Sequence, residues 1–473
     1  MRRWPVLIAT ASIVVASCSG GDDSETSEAP GDSAAVTTTS GGVADTEPDT
    51  TSSTTDTTDT TDTTDTTPAP PDTIGELTDS WRGVTADSVK FGLAGVDPDE
   101  VRNLGIAYEG PGSRQLYEAW IAVQNESGGI NGRQIELAFA PYLPIGDAQA
   151  EAACVALTED EQVFAATGIL LGDTSLCITE THETPYIGIF GQSAARNERA
   201  IAPFLAIEMS DDRQRAAGVE QFVEQGMLDG VSVALYTEAQ DAPVTEAVIE
   251  PLLDDAGVDV AERIEVDDFG DDTAAQDQAL DTAVERMRSA DVDVVLNVSN
   301  FAPLMVAFQR NGWFPTQVLG TSAQALSADF VAGNGIEPAS MENVTVAAPY
   351  IPSKDELLAD PLVVECIDQY NASGQDPAID TASASPASLN GVANQCAAFR
   401  LFVLAATGAG ADLTPDTFGA AADALGTLEL PGVPYGSLGP GSDKRDVGDA
   451  IGIYDFDPDA NQMVATGPAI QVN

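Results

Sequence analysis

The sequence predicts an α/β protein of two similar lobes, each a parallel-type sheet covered by helices. Three observations carry this expectation. Strand-like runs alternate with helical runs along most of the chain, the pattern of parallel sheets whose crossovers are helices. The roughly 390 residues that follow the N-terminal segment exceed what one hydrophobic core ordinarily serves. The alternation also restarts near residue 211, so two series of similar size follow one another.

Residues 1–18 combine Arg2-Arg3, an apolar run from Val6 to Val15, and Ala16-Ser17 before Cys18. A run this short fits a secretory leader and not a membrane span. Val15-Ala16-Ser17-Cys18 resembles a bacterial lipobox, which makes Cys18 the candidate lipidation site and mature N-terminus; the bland alternative is an ordinary signal peptide with a chance cysteine. Residues 19–80 are mostly Thr, Asp, Ser, Pro and Gly, with Asp at 56, 59, 62 and 65 and no Lys or Arg. Such a segment lacks the apolar surface that offsets the entropy of ordering, and is expected to be a disordered acidic tether.

In the first α/β series, 89–94 reads as strand and 113–126 as helix. Leu116, Trp120 and Val123 fall at i, i+4 and i+7, with Tyr117 and Ile121 beside them, which is one apolar stripe. Gly128-Gly129 stops the helix, and Asn131-Gly132 is a tight-turn dipeptide. Ile135, Leu137 and Phe139 then alternate with polar or small residues, as a half-buried strand does. Helix 147–157, strand 163–169, a helix from about Asp173 and strand 186–190 complete the series. The second comprises helix 211–225, strand 231–236, helix 244–256, strand 263–266, helix 273–289 and strand 292–298. Helix 302–311, strands 318–320 and 344–347, helices 361–372 and 388–407, and a turn-rich tail with a strand near 450–456 follow.

The helix, double-glycine turn and strand, with Asn125 before the turn, resemble the signature near the start of type I periplasmic binding proteins, in the branched-chain amino-acid and amide branch that feeds ABC importers. The resemblance extends over most of 86–460. It implies three chain crossings between lobes, with lobe 1 at 86–206 plus 348–425 and lobe 2 at 207–347 plus 426–473. Such a hinge permits closure, and the cleft between the lobes is the site.

Composition narrows the function classes. Net charge is −57, and residues 81–473 alone hold 61 acidic against 17 basic side chains. A surface of this sign repels nucleic acid and anionic headgroups. His182, in Thr181-His182-Glu183-Thr184, is the sole histidine; no Gly-x-Ser-x-Gly elbow accompanies it, and two-histidine metal sites are excluded. Asp267-Asp268 and Asp271-Asp272 lack the spacing of an EF-hand loop and read as solvated surface. There is no Gly-x-x-x-x-Gly-Lys-Ser/Thr and no Gly-x-Gly-x-x-Gly. Neither an enzyme nor a cofactor is expected. Beside Cys18, four cysteines remain, and an even number in an exported chain favours disulfides. Of three connectivities, the pairing of sequence neighbours, Cys154 with Cys177 and Cys366 with Cys396, is preferred. The first pair also resembles a disulfide of some family members.

Candidate ligand-binding residues lie in strand-to-helix turns, where open α/β sheets place ligands. On lobe 1 these are Gly172, Asp173, Thr174 and Ser175, whose hydroxyls and amides suit a carboxylate or amide oxygen but equally suit helix capping. Gln192 and Ser193 follow strand 186–190, in a turn similar to the family's ligand turn, and Tyr108 lies in the loop after the first strand. On lobe 2 they are Tyr236, Asp241, Asn300, Ser322 and Gln324. Tyr236 either packs on an apolar ligand body or on its own neighbours. Amino-acid binders of the family place a lobe 2 carboxylate against the ligand ammonium, whereas Thr321-Ser322-Ala323-Gln324 is neutral here; Glu238 or Asp241 can take that role. An amide, a small organic acid or an aromatic compound therefore stays open beside an amino acid. The resemblance implies a monomeric, lipid-anchored, extracytoplasmic protein that delivers a small polar organic ligand to an ABC permease. A surface sensor without a transporter, a secreted lipoprotein enzyme and an adhesive domain are the other classes.

Overall fold

The computed structural model describes residues 75–472 except 104–109, 144–146, 171, 268, 271, 321–325, 327, 440–443 and 461. The leader, Cys18, most of the tether, Tyr108, Ser322 and Gln324 thus lie outside the described residues.

The first sheet is wholly parallel, in the order β2-β1-β3-β4-β5. Its strands are β1 (Ser88–Gly95), β2 (Gln134–Pro141), β3 (Ala165–Gly168), β4 (Tyr186–Gly188) and β5 (Phe204–Ala206). The inner strands are buried on both faces, as helices on both sides of a sheet require. On one face the helix Ser113–Glu126 seats Leu116, Tyr117 and Trp120, beside the helices Pro361–Ala372 and Pro386–Gly408. Phe91 and Phe402 stack with centroids 4.0 Å apart, and Trp120 Nε1 donates to the Cys366 carbonyl at 3.0 Å. The expected disulfides are both present: Cys366–Cys396 joins two helices of this face, and Cys154–Cys177 lies under the other. Loops of 23 and 30 residues correspond to roughly 3 kcal/mol of stabilisation each in the chain-entropy account.

The double-glycine signature has a local cause. Gly129 adopts φ +66°, and a Cβ there would lie 1.9 Å from the Arg133 carbonyl oxygen, so only glycine fits. Asn125 clasps the next strand, accepting from the Ile135 amide at 2.8 Å and donating to its carbonyl at 3.0 Å. Buried Arg133 donates to the Thr85 carbonyl through Nε and to those of Thr78 and Ala411 through Nη2.

The second sheet runs β14-β13-β10-β9-β8-β6-β7. Its strands are β6 (Ser232–Glu238), β7 (Asp259–Val266), β8 (Val294–Asn297), β9 (Thr316–Leu319), β10 (Val344–Pro349), β13 (Ala450–Asp457) and β14 (Gln462–Ala465). β6 to β10 are parallel, while β13 runs antiparallel to β10 and to β14. A two-stranded β11 (Gly426–Thr427) and β12 (Ser437–Leu438) stands apart, and β15 (Ile470–Gln471) pairs with β13. The helix Asp211–Glu224 covers one face of the second sheet, and the helices Thr273–Ser289 and Phe301–Asn311 cover the other. No helix among the described residues is long and apolar enough to cross a membrane.

The chain passes between sheets after β5, after β10 and before β13. The first and third passages are hydrogen-bonded to each other: Ala206 donates to the Arg445 carbonyl (2.9 Å), Val447 to that of Ala206 (2.8 Å) and Gly448 to that of Ile207 (2.9 Å). Behind them Arg213 pairs with Asp446 and, at 2.8 Å, with Asp449, while Lys444 reaches the same two carboxylates at 3.0 and 2.9 Å. Leu428, Leu430, Leu438 and Val447, expected with lobe 2, pack instead on the first core, where they find their apolar partners. Among the elements not expected from the sequence are β5, the helix Ala194–Arg199 before it, and the helix Pro415–Asp423 within the tail.

Candidate functional site

The carboxyl ends of β3 and β4 build one side of the site. At the end of β3, Gly168 has φ +137°, and a Cβ would come within 2.0 Å of the Ala94 carbonyl. Tyr186 Oη donates to the Gly168 carbonyl at 2.8 Å and accepts from the Leu170 amide at 3.0 Å; burial raises its phenol far above the ordinary value. Gly172 is left-handed, and buried Ser175 donates to its carbonyl at 2.9 Å. Asp173 pairs with Arg196 at 2.8 Å and Arg199 at 2.9 Å, and the Arg196 hydrogen bond holds its carboxyl below the usual range. Ser175 is thus spent on the turn itself and Asp173 on anchoring the next helix; Thr174 opens the short helix between them.

After β4 the chain folds back on the first passage. Glu208 donates its amide to the Ile189 carbonyl at 3.0 Å. Gly191 then lies so close to Met209 that a Cβ would sit 1.9 Å from that carbonyl oxygen. Gln192 follows, 5% exposed, with an Oε1 that accepts no hydrogen bond among the described residues. Ser193 caps the helix Ala194–Arg199 by accepting from the Arg196 amide. The Ala194 amide donates across the cleft to Asp212, at 2.6 Å.

The carboxyl ends of β6 and β8 build the other side. Tyr236 is fully buried and its ring belongs to the second core, the packing on its own neighbours that the sequence left open beside a ligand body; its hydroxyl reaches Glu238 at 3.5 Å. Glu238 also accepts from Gln240 at 2.7 Å, and its amide donates to Ser299 Oγ at 2.9 Å. Asn297 accepts from the Ser299 amide at 2.8 Å, while its buried Nδ2 has no acceptor among the described residues. Asn300 caps the helix Phe301–Asn311. Asp241 pairs at 2.7 Å with Arg215, whose Nε also donates to the Val298 carbonyl at 3.0 Å and which lies 3.6 Å from Asp212.

Between the two sides stand two acids that sequence reasoning did not single out, Glu208 and Asp211. Burial, and then the charge of Asp211, push the Glu208 carboxyl up to about 7, although part of its surface still reaches solvent. Asp211 is raised by burial and lowered by Arg215 and by Arg196, and it feels Asp212 and Asp241 as well. Groups from the β4 turn, the first passage, the helix Asp211–Glu224 and the β6 turn therefore surround one acid. Among the described residues, neither Glu208 nor Asp211 has a hydrogen bond or ion pair to its carboxyl. A glutamate between apolar Ile207 and Met209 at a passage between series was the one available sequence signal.

Other groups carry no comparable chemistry. His182 Nε2 is 3.7 Å from Glu159, with no serine or acid in a triad arrangement among its described contacts. Cys154 and Cys177 approach it within metal-ligand range, but their sulfurs are bonded to each other. A cavity of about 330 Å³ lies away from the cleft, lined by Tyr435, Ser437, Lys444 and Asp449 among others.

A family model described as "Periplasmic binding protein" matches residues 105–463. No curated protein matches by sequence. Among solved structures, an ABC transporter substrate-binding protein from Desulfitobacterium hafniense in complex with Leu is 14% identical with a TM-score of 0.54, covering 80% of this chain and 99% of that one. A solute-binding protein of an ABC transporter from R. palustris in complex with 4-hydroxybenzoate is 12% identical, TM-score 0.54, covering 81% and 96%. A fatty acid ABC transporter substrate-binding protein from Thermomonospora curvata is 16% identical, TM-score 0.52, covering 85% and 96%.

Proposed function

Because the chain belongs to the periplasmic binding protein family, whose members act outside the cytoplasm, we propose that it captures a small polar organic ligand between its two lobes and presents it to an ABC permease. The observation that carries this reading is that the helix Asp211–Glu224 touches both sets of strand ends: Asp212 accepts from the Ala194 amide at 2.6 Å, and Arg215 pairs with Asp241 at 2.7 Å. A cleft with walls from both lobes brings such groups together. Ligand contacts to both walls stabilise the closed state, and a permease that recognises that state couples capture to transport. No covalent bond is made or broken.

On this reading Gly172, Thr174, Gln192, Ser193, Asp241 and Asn300 line the walls, joined by Tyr108, Ser322 and Gln324 from outside the described residues. Cys18 carries the lipid that keeps the monomer at the membrane, with residues 19–80 as its tether. Thermal-shift scans of the protein, stripped of carried-over ligand, against amines, amino acids, amides, carboxylates and small aromatics test the proposal. A saturable rise in melting temperature with one compound class is expected. No rise with any class moves the weight to an adhesive role.

A further inference from the structure

We infer that the cleft takes a ligand of net positive charge, whose ammonium, amidinium or guanidinium group docks against Glu208, Asp211 and Gln192. This rests on the cleft being the ligand site. The argument begins with charge. Six acids stand around this space, Asp173, Glu208, Asp211, Asp212, Glu238 and Asp241, against Arg196, Arg199 and Arg215. The arginines are committed: Arg196 and Arg199 to Asp173, and Arg215 to Asp241 and the Val298 carbonyl. Asp212 is held by the Ala194 amide, and Glu238 by Gln240. Glu208 and Asp211 are left adjacent, with no donor to either carboxyl among the described residues.

The second observation is independent of charge. Residues 189–192 run alongside 208–210, fixed by the Glu208 amide bond to Ile189 and by the close approach of Gly191 to Met209 and Ser210. Two residues further on, Ala194 is tied to Asp212. Gln192 is therefore held beside the 208–212 wall, and its buried Oε1 lacks, among the described residues, the donor that buried amide oxygens ordinarily have. Two neighbouring carboxyls and a buried amide oxygen on the segment packed against theirs, none with a donor among the described residues, call for a partner with several N–H groups, and one that is cationic also relieves the repulsion of the two carboxylates. The ionised carboxylate of an anionic ligand would face those same two acids and find the arginines already paired.

The test is calorimetric titration of the full chain at pH 7.5 with 1,4-diaminobutane, agmatine and benzamidine, and with leucine and 4-hydroxybenzoate as zwitterionic and anionic controls. At least one cationic probe binds, at least tenfold more weakly to Glu208→Gln and to Gln192→Leu, each confirmed folded by circular dichroism. Binding also releases a fraction of a proton, seen as a dependence on the ionisation enthalpy of the buffer, because the cation ionises the Glu208 carboxyl, which burial and Asp211 hold up at about 7, Asp211 in turn facing Arg215, Arg196, Asp212 and Asp241. Binding of leucine or 4-hydroxybenzoate without binding of any cation overturns the inference and leaves the binding function standing. Cation binding undiminished in both variants overturns the assigned contacts. No heat from any of the five compounds tells against the cleft as a ligand site, and against the inference with it.

Discussion

Replacing Glu208 by glutamine should stabilise the free protein at pH 8 and leave it unchanged at pH 4. The carboxyl titrates at about 7 in the fold against 4.5 for an ordinary glutamate. The native state thus binds this proton more tightly than the unfolded chain does, so stability falls as pH rises from about 4.5 to about 7 and stays low above that. A tenfold difference in proton affinity between the folded and unfolded chain corresponds to about 1.4 kcal/mol, which makes the cost at pH 8 about 3 kcal/mol. Glutamine keeps the shape without the charge and also relieves Asp211. For a folded part of about 400 residues, that gain raises the melting temperature by about 3–4 °C. Thermal and urea unfolding of both proteins at pH 4 and pH 8 measure it. An equal change in stability at the two pH values, or a loss at pH 8, refutes the claim that an uncompensated acid is kept in the cleft.

Two further substitutions probe the hinge. Arg213→Met leaves Asp446 and Asp449, at most 5% exposed, with Lys444 as their one cation among the described residues, beside the Ser210 amide and the Ser437 hydroxyl, and should cost about 3–5 kcal/mol in urea unfolding at pH 7; a cost below about 1 kcal/mol means the network is better hydrated than its burial indicates. Gly191→Ala forces a Cβ to 1.9 Å from the Met209 carbonyl, so the β4 turn must leave the first passage. A fall of at least about 2 kcal/mol in stability is expected by urea unfolding, and wild-type stability would show that the two segments part easily.

The elements legible in the sequence are those whose local signals agree. The helices Ser113–Glu126, Thr273–Ser289 and Pro361–Ala372 begin and end where read, because an apolar stripe and a stop or cap coincide: Asp272 accepts from the Ala275 amide, and Asp360 from that of Leu362. The helix Ala194–Arg199 buries no side chain and so shows no period, and β5 is three residues long. Leu428, Leu430, Leu438 and Val447 carry no local sign of their lobe, which is set by packing on the distant first core and by contacts such as that of the Val447 amide with the Ala206 carbonyl of β5. The site divides in the same way. Gln192, Ser193 and Asp241 stand at strand ends and could be named from position alone. Glu208, Arg196 and Arg215 lie on a passage or on helices, where a charge reads as solvated surface until the fold brings a second chain segment over it.

The central claim is closure of two lobes on a ligand, and an interlobe distance tests it most directly. β2 and β7 end their sheets farthest from the passages, so spin labels on Pro141→Cys and Glu265→Cys, both exposed at the carboxyl ends of those strands, are placed to feel the full swing. Pulsed dipolar spectroscopy of the doubly labelled protein should show the distance shorten saturably with the ligand that binds in calorimetry, over the same concentration range. A distance distribution unchanged at calorimetric saturation contradicts capture by closure.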